Sequence, residues 1–181
     1  LFRSAYMLWR VLEAHGGKLP EEAMVIFANT GKEEEATLEF VRDCADRWAT
    51  PITWVEYLPG KNVKTVDFAS ASREGQPFEA LIRDRSYLPN PVTRFCTMEL
   101  KILSAVRHLK SIGWTEWDNL IGMRADEPGR VAKARSNPSG GTAGADRRVP
   151  LADDGIGVWV VLDFWSRQDF DLCLPVVNGK T

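Results

Sequence analysis

The sequence predicts an α/β fold in which helices cover both faces of a mostly parallel, twisted sheet. Short apolar runs alternate with segments of helical periodicity, in the order β-α-β-α-β, then helices, then β-α. This order is typical of parallel strands joined by crossover helices. The 181 residues suit a single domain, assigned to 1–181, and the 44% of hydrophobic residues is sufficient for a buried core.

The first half of the chain supplies the regular part of this alternation. Leu1 and Phe2 are typical of the end of a strand, and the segment from Ser4 to Ala14 has apolar residues at helical spacing. The elements that follow are a buried strand at 24–28, an amphipathic helix at 33–48 and a strand at 52–57. Two strands separated by one helix are expected to pair in parallel.

The second half is less regular. Residues 58–75 are polar and predict no regular element, and the Pro-, Gly- and charge-rich segment 126–148 predicts a flexible loop. Outside these segments we expect helices at 78–85, 95–111 and 157–168 and a strand at 117–123. The side chains expected in the core from the long and the last helix are Met98, Ile102, Val106, Leu109, Trp159, Phe164 and Trp165.

The predicted topology indicates where a ligand would bind. Ligands of parallel α/β sheets bind beyond the carboxyl ends of the strands. The segments that follow predicted strands are Arg3–Ser4, Asn29–Lys32 and Arg124–Arg130. We therefore expect the chemistry of this protein in those three segments.

Asn29, Thr30 and Gly31 form the first candidate, a turn between a buried strand and a helix. Backbone N–H groups at the beginning of a helix bind anions, and a glycine permits close approach of a ligand. A turn with ordinary helix capping explains the same residue types equally well. Position alone leaves both interpretations open.

Arg94, Cys96 and Lys101 form the second candidate, at the beginning of the predicted long helix. The two cations could reach one phosphate or sulfate group. A thiol between them would have a lowered pKa, which favours thiolate chemistry or metal ligation. The alternative for Cys96 is a small buried helix residue.

Gly122, Arg124, Glu127 and Arg130 form the third candidate, a glycine at a strand end followed by alternating charges. Such a loop is suited to contacting a polyphosphate. A solvated charged loop is the alternative explanation for the same residues.

Taken in order, these segments resemble PAPS reductase-like proteins (PAPS is phosphoadenosine phosphosulfate) of the adenine nucleotide α-hydrolase superfamily, in particular phage and bacterial members. The family opens with a strand, a Ser-Gly-Gly-x-x-Ser loop, a helix, and then a strand that ends in an Asp/Asn-Thr-Gly turn. The similar segments are Phe2–Leu8, Val25–Thr37, Arg94–Lys101, Gly122–Glu127, Val149–Leu151 and Phe164–Pro175.

The resemblance implies a Rossmann-like fold and an enzyme that binds ATP or PAPS and acts in sulfur transfer or in activation of the nucleotide α-phosphate. Ser4 corresponds to the last serine of the phosphate loop, whose Ser-Gly-Gly residues are not in this chain. The residues that would contact the nucleotide are Ser4, Asn29, Thr30, Gly31, Gly122, Glu127 and Arg130. The catalytic cations would be Arg94, Lys101 and Arg124.

Cofactors and partners also follow from the resemblance. Mg²⁺ is expected if ATP is the substrate, and Cys96 would be one ligand of a [4Fe–4S] cluster. The chain has no Glu-Cys-Gly-x-His motif, so we do not expect thioredoxin-dependent PAPS reduction. Besides the nucleotide, the partners considered are a nucleic acid, a sulfur-carrier protein and a second copy of the chain.

Two further functions remain open: a catalytically inactive nucleotide-sensing module, and a component of nucleic-acid modification of the thiolation or phosphorothioation type. The net charge of −2 gives no overall basic field for nucleic acid. Three cysteines without close spacing do not indicate a disulfide framework. The apolar runs are too short for a bilayer and no signal-peptide pattern is present, so we expect a cytoplasmic protein without a membrane partner.

Overall fold

The structure is a computed structural model that describes residues 1–90, 95–140 and 142–173. Its strands are β1 (Val25–Asn29), β2 (Ile52–Leu58), β3 (Asn62–Val66), β4 (Trp117–Leu120) and β5 (Ala145–Arg148). Its α-helices are α1 (Phe2–Ala14), α2 (Glu35–Arg47), α3 (Gln76–Arg85), α4 (Ser104–Ser111), α5 (Pro128–Ser136), α6 (Pro150–Asp153) and α7 (Val158–Ser166). A π-helix, Thr97–Leu103, leads directly into α4. The prediction of an α/β class is confirmed.

The described strands form two sheets, with the orders β1-β2-β3 and β4-β5. Strands β1 and β2 are parallel, as are β4 and β5, whereas β3 runs antiparallel to β2. Asn29, the last residue of β1, pairs with Glu56 near the carboxyl end of β2. The first candidate turn therefore begins at the edge of a parallel sheet, as the topology requires.

Strand β3 corrects the expectation that residues 58–75 have no regular structure. A 3₁₀ turn, Pro59–Lys61, reverses the chain after β2, and its Gly60 has a φ of 72°. The strand that follows pairs with β2 over its whole length. It is an edge strand whose residues other than Val63 and Val66 are polar and exposed, and the two valines are three residues apart, so it lacks the apolar alternation by which strands are recognised.

The beginning of the chain is helical, so the prediction of a strand end at Leu1 and Phe2 is wrong. Phe2 is the first residue of α1, and its ring stacks on Trp165 with the centroids 5.2 Å apart. The apolar character of Phe2 reflects this packing against α7. The predicted end of the helix is confirmed, because Gly16 and Gly17 adopt left-handed conformations there.

A core of aromatic and aliphatic side chains joins α1, α2, α6 and α7. Its buried members include Tyr6, Phe40, Leu151, Val161 and Trp165. The indole N–H of Trp165 donates to the carbonyl oxygen of Phe2 at 3.1 Å, which satisfies the polar atom of this buried ring. Trp159 was expected in the same core, but 78% of its surface is exposed because it lies on the opposite face of α7.

Two further expectations for the second half are wrong. Segment 126–148 contains α5 and β5, and α5 forms because Val131 and Ala134 provide a small buried face among its charges. Met98 is 38% exposed although it was expected to point inward, whereas Leu100 is buried. The π-helix has a wider turn than an α-helix, so the 3.6-residue periodicity assigns the wrong inward face.

Among the described residues, no helix is both long enough and apolar enough to cross a membrane.

Candidate functional site

The first turn of α1 contacts the segment that follows β4. Gly122 is buried, and a Cβ atom added to it would lie 3.0 Å from the carbonyl oxygen of Arg3 and 3.2 Å from Cα of Ser4. These contacts are tighter than ordinary Cβ contacts, so a larger residue at 122 would push the two backbones apart. The structure thus brings Ser4, which is exposed, next to Gly122, although Ser4 lies in a helix and does not follow a strand.

The carboxylate of Glu127 accepts hydrogen bonds from three residues: Arg3, Arg124 and Arg130. Arg3 Nη1 donates to both carboxylate oxygens, at 2.8 and 2.7 Å, and Arg130 donates to one of them. The backbone N–H of Arg124 donates to Oε2 at 3.2 Å. Burial raises the pKa of Glu127, but these hydrogen bonds outweigh it and hold the pKa below its ordinary value. Glu127 therefore remains ionised and binds its neighbours α1 and α5 together.

Asp126 connects Arg124 to the beginning of α7. Its Oδ1 accepts from Arg124 Nε at 2.8 Å, and its Oδ2 accepts from the backbone N–H of Val158 at 2.9 Å. The Val158 N–H and the Arg124 guanidinium lower the pKa of Asp126. The guanidinium of Arg124 is thereby held mainly by Asp126, with Glu127 Oε2 at 3.9 Å from Nη1, and much of its side chain is buried.

The turn of Asn29, Thr30 and Gly31, which we call the Asn29 turn, is held mainly by its own side chains. Asn29 is fully buried, and its Oδ1 accepts from the Gly31 N–H at 3.0 Å. Gly31 has a φ of 74°, and a Cβ atom there would lie 2.8 Å from Cδ of Pro77. The glycine is thus required by packing against the beginning of α3. Its N–H already has an acceptor, which corrects the expectation that it is available to a phosphate.

Lys101 reaches the Asn29 turn through a carboxylate. Its Nζ lies 3.0 Å from Glu33 Oε1, the same oxygen that accepts from the hydroxyl of Thr30 at 3.1 Å. The charges of Lys101, Glu33 and Arg3 also act at the beginning of α1.

The candidate site, as defined by these contacts, consists of the first turn of α1, the Asn29 turn, Glu33, Lys101 and residues 122–130. It contains four cations, Arg3, Lys101, Arg124 and Arg130, and three carboxylates, Glu33, Asp126 and Glu127. The surplus is one positive charge. All of the predicted contact residues within the described part of the chain belong to this region.

The second candidate segment is only partly described. Arg94 lies outside the described residues, as do Leu174 and Pro175 of the resemblance. Cys96 is half-buried and packs beside the cluster of Tyr57, Leu81 and Leu100. In the described ranges, no group of three or more His, Cys, Asp or Glu side chains that could hold a metal is found. A [4Fe–4S] cluster at Cys96 stays a prediction from the resemblance.

Comparison with known proteins gives one relative of phage origin. Over 190 aligned residues, the chain is 27% identical to an "uncharacterized nin region protein ORF290" of Escherichia phage lambda. The alignment covers 98% of this chain and 60% of the relative's length, so the chain spans about three fifths of that protein. No protein-family model matches the chain. No solved structure matches it either.

Two buried carboxylates near the candidate site were not anticipated from the sequence. Glu56, on β2, contacts Asn29, and Glu99, in the π-helix, is held by Arg85 and by Arg107 at 2.6 Å. The sequence does contain one sign of the first pair: a glutamate inside the apolar run Ile52–Leu58 must have partners, because a buried charge without them is too costly. The partners themselves are distant in sequence and cannot be read from the pattern.

Proposed function

We propose that this chain is an adenine-nucleotide-binding enzyme, similar to PAPS reductase-like proteins, that acts on ATP or PAPS in sulfur transfer or in activation of the α-phosphate. The observation that carries the proposal is the convergence of four separate segments at the first turn of α1. Each was singled out by its position after a predicted strand, its charge or its similarity to the family. Their meeting at one place supports a common ligand.

The proposed ligand is negatively charged, and the site offers groups that suit it. The cations Arg3, Lys101 and Arg124 lie near the first turn of α1. In the proposed reaction, a nucleophilic atom of the acceptor bonds to the α-phosphorus of ATP, or to the sulfur of PAPS, as the bond to the oxygen of pyrophosphate, or of adenosine 3′,5′-bisphosphate, breaks; these cations stabilise the charge on that leaving group.

The carboxylates of the site explain how the cations remain in place before a ligand arrives. Each of the four cations has a carboxylate partner within 3.0 Å. A nucleotide triphosphate carries more charge than any one of these carboxylates, and arginine can bind a second oxyanion through its remaining N–H groups. The ligand would therefore share the cations with Glu33, Asp126 and Glu127.

Mg²⁺ would accompany ATP. When bound, it neutralises phosphate charge and orients the triphosphate. The carboxylates of the site already hold cations, and the described residues offer no cluster of three metal-binding side chains. The ion would thus be held mainly by the phosphate oxygens and water, as is usual for Mg²⁺ bound with nucleotides.

The experiment is calorimetric titration with ATP, with and without Mg²⁺, with PAPS, and with GTP as the comparison for the base. We expect binding of ATP or PAPS, and a loss of about tenfold in affinity for Lys101→Ala and Arg124→Ala, since each removes one charged contact. Lys110→Ala and Arg83→Ala are matched controls at exposed positions. Failure of both ATP and PAPS to bind would refute the proposal.

Product analysis then separates the enzyme from a sensor. Release of pyrophosphate from ATP, or of adenosine 3′,5′-bisphosphate from PAPS, would support the catalytic role. Tight binding without either product would instead support the nucleotide-sensing function. Nucleic-acid binding with a strong salt dependence would instead support a component of nucleic-acid modification.

A further inference from the structure

A glutamate lies at the centre of the three-stranded sheet, one strand away from the candidate site. Glu56 on β2 is fully buried, and its neighbours across the sheet are Asn29 on β1 and Lys64 on β3. These three side chains lie on the same face of the sheet, because paired positions in adjacent strands share a face. Glu56 therefore stands between a cation at the sheet edge and the first residue of the Asn29 turn.

The carboxylate of Glu56 has four hydrogen-bond donors. Oε1 accepts from Asn29 Nδ2 at 2.7 Å and from the backbone N–H of Ser72 at 2.6 Å. Oε2 accepts from the hydroxyl of Ser72 at 2.8 Å, and Lys64 Nζ lies 3.1 Å away. Burial raises the pKa of Glu56, but these donors outweigh it and keep the pKa below its ordinary value. The group is thus an ionised acceptor with all its partners in place.

This arrangement determines which way the Asn29 amide points. A carboxylate can only accept, so the amide must present its NH₂ group to Glu56 and its Oδ1 to the other side. The NH₂ group also donates to the carbonyl oxygen of Ser72 at 2.8 Å, which enforces the same orientation. Oδ1 is consequently directed to the N–H of Gly31, the bond that closes the turn.

We propose that Glu56 is a positioning residue for the candidate site: through Asn29 and Ser72 it fixes the conformation of the Asn29 turn, and with it the position of Thr30 and Glu33. The effect on a ligand rests on the proposed nucleotide-binding function. Glu56 itself touches no ligand in this proposal. A well-packed apolar residue would fill the same space without the cost of burying a charge, but it could not orient the amide.

The sharpest test replaces the amide by a second carboxylate. Asn29→Asp puts an oxygen where Nδ2 was, 2.7 Å from Glu56 Oε1. Two carboxylates at that distance share one proton, so the pKa of the pair rises. The charged group that faces the pair is Lys64, and the Ser72 donors are neutral.

The expected result is a dependence of binding on pH that the unaltered protein lacks. At about pH 8, the ATP affinity of Asn29→Asp should be about 100-fold lower than that of the unaltered protein at the same pH. The ratio should recover as the pH falls to about 5.5, where the shared proton restores the hydrogen bond between residue 29 and Glu56. Adding Glu56→Gln should move the midpoint of the recovery at least about one pH unit lower. Asn119→Asp, at an exposed position of β4, should show a ratio that does not vary with pH.

A second measurement reports on the turn without any nucleotide. The amide of Gly31 should exchange its hydrogen about tenfold faster or more in Glu56→Ala, because the amide of Asn29 loses its orientation. The amides of the β1–β2 ladder should stay protected, and Glu56→Gln should keep most of the protection of Gly31. If Glu56→Ala does not fold, Asn29→Asp and Glu56→Gln still carry the comparison.

The two proposals fail in different ways. Unchanged exchange at Gly31 in Glu56→Ala, or a pH-independent affinity ratio for Asn29→Asp, would overturn the positioning role even if ATP binds. Failure of the unaltered protein to bind ATP or PAPS, together with altered exchange at Gly31, would overturn the nucleotide function and leave the role of Glu56 in the turn intact.

Discussion

Replacement of Gly122 by alanine tests the contact on which the candidate site depends. The added Cβ would lie 3.0 Å from the oxygen of Arg3, 3.1 Å from its carbonyl carbon and 3.2 Å from Cα of Ser4. These distances are shorter than ordinary van der Waals contacts, so the two segments must separate by a few tenths of an ångström. All three atoms belong to the backbone of α1, so no side-chain rotation can relieve the contact.

We expect Gly122→Ala to be less stable by about 1–3 kcal/mol, the usual range for overpacking at a tight contact. The same displacement moves Arg3 away from Glu127, so ATP affinity should fall as well. Urea unfolding followed by tryptophan fluorescence measures the stability, and calorimetry measures the affinity. The matched control is Gly129→Ala in α5, where an added Cβ has no atom within 4 Å.

The control should be unchanged or slightly more stable, by up to about 1 kcal/mol, because alanine favours a helix over glycine. A Gly122→Ala protein that unfolds at the same urea concentration as Gly129→Ala would refute the close approach of the two backbones. A less stable Gly122→Ala protein with unchanged ATP affinity would retain the contact and refute its role in the site.

Two other predictions concern ionisable groups. Glu127→Ala should lower stability by about 1–2 kcal/mol, because Arg3 and Arg130 lose their shared partner while remaining partly exposed. Since the pKa of Glu127 is lowered in the folded protein, its contribution to stability is complete above the ordinary value of 4.5 and is lost as pH falls through the folded pKa. Acid unfolding of Glu127→Gln should therefore lack this loss of stability. An acid-unfolding profile identical to that of the unaltered protein would contradict the stabilising role of Glu127. Burial raises the pKa of Cys44 to about 12, so a thiol reagent should modify exposed Cys173 in the native protein and Cys44 only after denaturation. Fast labelling of Cys44 in the native protein would contradict this prediction and show that the core around Cys44 opens.

The elements that could be predicted from the sequence are those that bury an apolar face. Strands β1 and β2 and helix α2 carry such faces, and their positions agree with the predictions to within one or two residues. Strand β3 and helix α5 are polar over most of their surfaces, so their formation depends on pairing with β2 and on two small buried side chains. Patterns within a segment cannot report such long-range partners.

The candidate site likewise has features that could be predicted from the sequence and features that could not. The topology placed Ser4, Asn29 and Gly122 after strands; Asn29 is the last residue of β1 and Gly122 follows β4, whereas Ser4 lies in α1 with no strand before it. The orientation of Asn29 depends on Glu56 and Ser72, which are 27 and 43 residues away in the chain. The role of Gly31 was also ambiguous for this reason, since the residue that demands a glycine is Pro77 of another helix.

Helix α7 explains why an apolar C-terminal element belongs to a polar site. Two hydrogen bonds connect it to the site: Asp126 accepts from the N–H of Val158 at its beginning, and the Trp165 indole donates to the carbonyl of Phe2 near its end. The first bond holds the carboxylate that pairs with Arg124, and the second lies in the first turn of α1 beside Gly122. Because one rigid helix is tied at its two ends to the two halves of the site, α7 helps to fix the separation between Arg124 and the beginning of α1. The apolar face of α7 is therefore part of what sets the geometry of the cations, although none of its side chains needs to meet a ligand.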